Sequence, residues 1–214
     1  MNFISAFFDN PLQLITRLVV ILFISLPVHE CAHALVANRL GDVSEDNRRR
    51  RTLNPLAHID IFGVIFMVFT GFGWAKPVSV NPIYFKNKKA GMALTSIAGP
   101  ISNLLLGFVF MVILRITLFF DVDLYVFQQM LIYAVSINIS LAVFNLIPIP
   151  PLDGSRVLFA FLPEKYYFKI MQYEQYIFIA FAILLATGNV TGLNRVLGFL
   201  VNAVFNFFKL ILFF

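Results

Sequence analysis

His29-Glu30-Cys31-Ala32-His33 reads H-E-x-x-H, and it closes an apolar run that begins at Leu12. On a helix, His29 and His33 lie one turn apart on one face. That spacing lets two imidazoles meet one zinc ion, with Glu30 beside it as a general base. Two histidines and a carboxylate are costly inside a bilayer, so such a group marks a functional site by default. The chemistry these residues suggest is hydrolysis carried out within a membrane.

A hydrolytic zinc site takes three protein ligands and keeps a fourth position open for water. The remaining candidates are few. His58 is the only other histidine, and Asp60, Asp121, Asp123 and Asp153 lead the carboxylates. Asp153 follows the proline-rich break Pro148-Ile149-Pro150-Pro151-Leu152, at the end of an apolar span. Broken backbone at membrane depth is tolerated where it lines a cavity, which makes Asp153 the preferred third ligand. Asp153-Gly154 after prolines is also ordinary turn chemistry. His58 reads as a loop histidine bonded to backbone. The single cysteine, Cys31, excludes an internal disulfide or a cysteine zinc cage, and reads as a packing residue.

The elements that must hold these residues are apolar. Of 214 residues, 60% are hydrophobic and 13% charged, and Phe alone contributes 26. A soluble domain would be about half apolar and a quarter charged. The expected fold is an all-α polytopic membrane bundle of about 4–6 transmembrane helices, with a small membrane-associated β-hairpin or re-entrant element. One domain over residues 1–214 is expected, with a catalytic core at 12–156 and accessory helices at 157–214.

The spans read as Leu12 to Leu40, Ala90 to Phe120, Leu124 to Ile149 and Tyr173 to Ala186, with a last apolar segment from Val196 to Phe214. Pro27 is expected to disturb the first span. The apolar N-terminal run is too long for a leader's core, and cleavage after it would destroy the motif. Ile61 to Phe72 is short and Gly-containing, and reads as re-entrant. Val78 and Val80 alternate with polar residues between prolines, which suggests an edge strand suited to an extended substrate. Gly188 to Arg195 reads as a polar turn.

The net charge is +5, and eight of sixteen basic residues fall between Gly41 and Ala90. In so apolar a chain, that run marks a cytoplasmic loop rather than a nucleic-acid surface, and no nucleic-acid partner is expected. Alternating spans then put the N-terminus outside. His29, His33 and Asp153 converge toward the cytoplasmic side, and the acidic turn Asp121–Asp123 faces out.

With these residues in place, the chain resembles the site-2 protease family of intramembrane zinc metalloproteases. The matching pieces are the H-E-x-x-H at His29, Gly99-Pro100-x-x-Asn103, and Asn145-Leu146-Ile147-Pro148-Ile149-Pro150-Pro151-Leu152-Asp153-Gly154. The stretches Leu53 to Asp60 and Pro77 to Pro82 look like its compact prokaryotic branch, without a PDZ-like or nucleotide-sensing domain. Ile61, where proline is usual, and the run Arg48 to Arg51 depart from that pattern. The resemblance implies one zinc held by His29, His33 and Asp153, and water activated by Glu30. It makes Asn145 and Asn103 polar partners of the substrate or of the developing oxyanion; either Asn could instead make an interhelical hydrogen bond. It implies single-span transmembrane proteins as substrates, cut by regulated intramembrane proteolysis in a prokaryotic cell membrane. The alternatives are a membrane metal transporter or a non-catalytic scaffold using the same metal site. The Phe-rich last segment could face lipid or a second copy in a homo-oligomer.

Overall fold

The computed structural model describes residues 11–70, 73–76, 80–120, 124–187 and 191–213, and they are overwhelmingly helical. Helix α1 (Pro11–Val19), a π-helical stretch (Val20–Ser25) and α2 (Leu26–Arg39) form one apolar span from Leu14 to Arg39. The irregularity expected at Pro27 falls in the turn before it. Proline has no N–H for that turn and its ring crowds the preceding carbonyls, and the ladder widens there.

Short polar elements follow. Helix α3 (Glu45–Arg50) is capped by Ser44 Oγ, which accepts from Asn47 N at 3.3 Å. Asp42 is fully buried and accepts from Ser44 N and Asn81 N, each at 3.0 Å, so it ties this loop to the segment before α5. Arg50 donates to the carbonyl of Ala57 and, at 3.2 Å, to that of Lys76. His58 sits buried with Nε2 2.9 Å from Thr52 O, the loop role expected of it.

Helix α4 (Ile61–Thr70) rises only about 15 Å, half a bilayer core, as the re-entrant reading requires. Beside it, Ile59 and Ala75 form an isolated antiparallel bridge, with Lys76 N donating to His58 O at 2.8 Å. No longer strand pairing occurs among the described residues. Residues 77–79 of the expected hairpin, and the Asp121–Asp123 turn, lie outside them.

Helix α5 (Lys88–Phe119) is capped by Asn87 and packs against α2 on one side and α6 (Tyr125–Asn145) on the other. Helix α6 stops at Asn145, earlier than expected, because three prolines within Pro148–Pro151 cannot donate to a helical ladder. After a run of tight turns the chain re-enters as α7 (Asp153–Phe159), followed by α8 (Glu164–Met171), α9 (Glu174–Ala186) and α10 (Thr191–Ile211).

Four helices among the described residues are long and apolar enough to span: Leu14–Arg39, α5, α6 and α10. This is a multi-pass membrane protein. Two further boundaries differ from the sequence reading. Helix α9 alone rises about 20 Å, and reaches spanning length only with α8, from which it is bent by 56°. Thr191 to Arg195, expected as a turn, begins α10: its polar residues occupy the first helical turn of a span. The apolar core joins Met111 and Leu114 of α5, Leu131, Val135, Ile139 and Val143 of α6, and Phe208 of α10.

Candidate metal centre

His29 and His33 lie on the buried side of α2, one turn apart, with imidazoles edge-to-face and centroids 4.5 Å apart. Their Nε2 atoms approach to 3.0 Å. Asp153, the first residue of α7, brings Oδ2 to 3.3 Å from each Nε2. Gly154 makes this possible: a Cβ there would lie 2.1 Å from Leu146 O, so only glycine lets α7 fold back against the end of α6.

These three atoms converge on one point. Asp153 Oδ2 is buried and lacks a well-formed hydrogen bond, although both imidazoles are near. An ionised carboxylate and two ring nitrogens, crowded without a donor between them, are the donor set of a cation.

Helix α5 supplies the back wall. A Cβ built on Gly99 would lie 2.4 Å from His33 Nε2 and 2.6 Å from His29 Nε2. A zinc ion bonds imidazole at about 2.0–2.1 Å, so the space that Gly99 leaves is of ionic rather than carbon size. The residues present therefore fit zinc, which His29 Nε2, His33 Nε2 and Asp153 Oδ2 would hold.

The outer ring nitrogens are also engaged. His33 Nδ1 lies 2.7 Å from the carbonyl of Thr95, which can only accept, so the proton sits on Nδ1 and the Nε2 lone pair faces the cluster. Asn103 is buried and its side-chain amide lies 3.1 Å from His29 Nδ1. It thus meets the back of a ligand rather than standing free beside the cluster. Glu30 is buried next to His29 and lines the same cavity. Asn145, half-buried at the end of α6, donates to Leu141 O at 2.9 Å and also lines it. The cavity measures about 1330 Å³, more than the ~300–1,000 Å³ of small-molecule sites. Arg156 and Glu174 close its rim with a 2.7 Å ion pair between α7 and α9.

Sequence reasoning named the three side chains that cluster and Glu30 beside them. It passed over Thr95, whose contribution is a backbone carbonyl without a residue-type signature. Gly99 stood inside a matched motif, but its role as empty space was not apparent. The Arg156–Glu174 pair joins residues eighteen positions apart across a chain reversal, which no local pattern marks.

Comparison with known proteins gives the family. Residues 121–187 match the model of peptidase family M50. The chain is 39% identical over 186 residues to the Bacillus subtilis protein named "Putative zinc metalloprotease YwhC", covering 85% of each chain. It is 29% identical over 182 residues to "Zinc metalloprotease MJ0392" of Methanocaldococcus jannaschii, covering 84% of this chain and 44% of that one. No solved structure matches it significantly. The chain belongs to peptidase family M50, the site-2 protease family of zinc metalloproteases. Zinc is the cofactor that this membership and the cluster imply.

Proposed function

We propose that this chain is an intramembrane zinc endopeptidase that cleaves single-span transmembrane proteins within or near their membrane segments, as in regulated intramembrane proteolysis. The observation that carries this reading is the convergence of Asp153, at the start of α7, on His29 and His33 of the first apolar span, with Glu30 beside them on a large cavity. Gly99 lies about 16 Å along α5 from Lys88, within the apolar part of that span.

Zinc, when bound, supplies a Lewis acid that polarises the scissile carbonyl and acidifies water. Glu30 takes the proton of the attacking water on its carboxylate and delivers it to the leaving amine nitrogen. Asn145 keeps an amide N–H beyond its bond to Leu141 O, available for charge developing on the carbonyl oxygen. A substrate helix must unwind first, because its amides are already paired. The Ile59–Ala75 pairing next to the cavity offers backbone groups to such an extended segment.

The basic residues Arg48 to Arg51, Lys76, Lys86, Lys88 and Lys89 cluster near the metal end of α2 and α5, which supports a cytoplasmic orientation in a prokaryotic cell membrane. A cysteine placed at exposed Arg49 should label from the cytoplasmic side only. A transporter needs further ligands along a path. Among the described residues, His29, His33 and Asp153 are the one group of three or more that could hold a metal. The decisive variant is Glu30→Gln. It should keep its zinc and cleave a verified transmembrane substrate about 10²–10⁴-fold more slowly. Cleavage at the wild-type rate would refute the mechanism.

A further inference from the structure

We propose that Asn103 is a positioning residue of the metal site: its side-chain carbonyl accepts the Nδ1–H of His29 and thereby aims the Nε2 lone pair at the ion. The proposal rests on the reading of His29 as a zinc ligand. Asn103 is 1% exposed, and its side-chain Nδ2 lies 3.1 Å from His29 Nδ1. Its Oδ1 has no partner, so the proposed arrangement is the one with the two ends of the amide exchanged. The two ends of an amide are interchangeable in shape, so the contact alone leaves two arrangements.

The chemistry of the ring separates them. With the NH₂ group toward His29, Nδ1 accepts and the ring proton moves to Nε2, where it points at His33 Nε2, 3.0 Å away. That arrangement closes the site with a proton. With the carbonyl toward His29, Nδ1 carries the proton and Nε2 presents its lone pair. His33 is already set this way by Thr95 O. Two imidazoles can share one cation only when both Nε2 atoms are bare, so the carbonyl orientation belongs to the metal-binding state. Asn103 sits four residues after Gly99 on α5, one turn along from the space the ion would fill. One helix thus leaves room for the ion and orients a ligand to it.

The test compares zinc affinity of the purified full chain, measured by competition with a chromophoric chelator, for wild type, Asn103→Leu and Asn103→Asp. Leu keeps the size and removes the acceptor; Asp keeps an acceptor. The expected order is wild type and Asn103→Asp together, with Asn103→Leu weaker by about 10–100-fold. Zinc affinity in Asn103→Leu within about twofold of wild type would overturn the proposal, and so would equal losses in both variants, since these are the signs of a packing role.

A second measurement needs no variant. The chain has only three histidines, so ¹⁵N-histidine labelling gives three rings to resolve in the zinc-loaded wild type. His29 Nδ1 should be protonated; a bare Nδ1, coupled to the Asn103 amide nitrogen, would refute the assignment. Wild type that binds no zinc at all would instead strike at the metalloprotease reading, which keeps the two failures distinct.

Discussion

The first span and the last are both apolar enough to cross a bilayer, yet 44% of the apolar window of Leu14–Arg39 is buried, against 6% of that of α10. The first span carries its polar residues inward. His29, Glu30, His33 and Ser25 are all buried, and the first three line the cavity. Helix α10 does the reverse. Phe199, Phe207 and Leu210 are exposed, while Phe208 enters the core and Arg115 of α5 donates to Leu212 O at 3.2 Å. The difference teaches that apolar composition serves two ends in this chain. In the first span it surrounds a charged cluster with protein. In α10 it presents a face to the membrane or to a second copy, and a narrow stripe holds the helix to the bundle.

The comparison breaks most sharply at Gly99. Gly99→Ala places a carbon within 2.4–2.6 Å of both ligand nitrogens. Zinc affinity should fall more than about 100-fold, beyond the range usual for supporting residues, while the protein still extracts as a folded membrane protein. Metal analysis beside circular dichroism checks this; full zinc in a folded Gly99→Ala would show that the ion sits elsewhere. Asp153→Ala should likewise lose most bound zinc, since two imidazoles alone make a weak site. Unchanged zinc content would remove Asp153 from the ligand set.

Within α10, adjacent residues should behave differently. Phe208→Ala opens a hole between α5 and α6 and should cost about 3 kcal/mol, the low end for a buried Phe because lipid solvates the released surface better than water does. Unfolding in mixed micelles measures it. The ion pair between α7 and α9, outside both regions, is weaker. The Arg156–Glu174 pair is about a quarter exposed on each side and should show a coupling of about 1 kcal/mol in a double-mutant cycle. Phe207→Ala should change stability by less than about 0.5 kcal/mol and leave zinc untouched. If it shifts the oligomeric state instead, the exposed face is a contact between copies.

Much of this was legible along the chain. The three long spans that carry the site follow from runs of apolar residues, and the end of α6 from its prolines, because each depends on neighbours in sequence. The start of α10 was misplaced because Thr191, Asn194 and Arg195 suit a turn by composition, yet a helix already committed to the bundle carries them in its first turn. The edge strand expected around Val78 falls largely outside the described residues, and the strand pairing among those described is the single Ile59–Ala75 bridge.

Residue types and spacing determined the membrane class, the two histidines on one helical face, Glu30 between them and the preference for Asp153. These are local facts: a helix repeats every 3.6 residues, and proline lacks an N–H wherever it stands. Only the tertiary structure decided that Asp153 Oδ2 arrives 3.3 Å from both ring nitrogens, that Gly99 supplies the empty space, and that Thr95 O and Asn103 stand behind the ligands. Those depend on how α2, α5 and α7 pack. A backbone carbonyl and an absent side chain do their work by position alone, so packing is the only level at which they can be read.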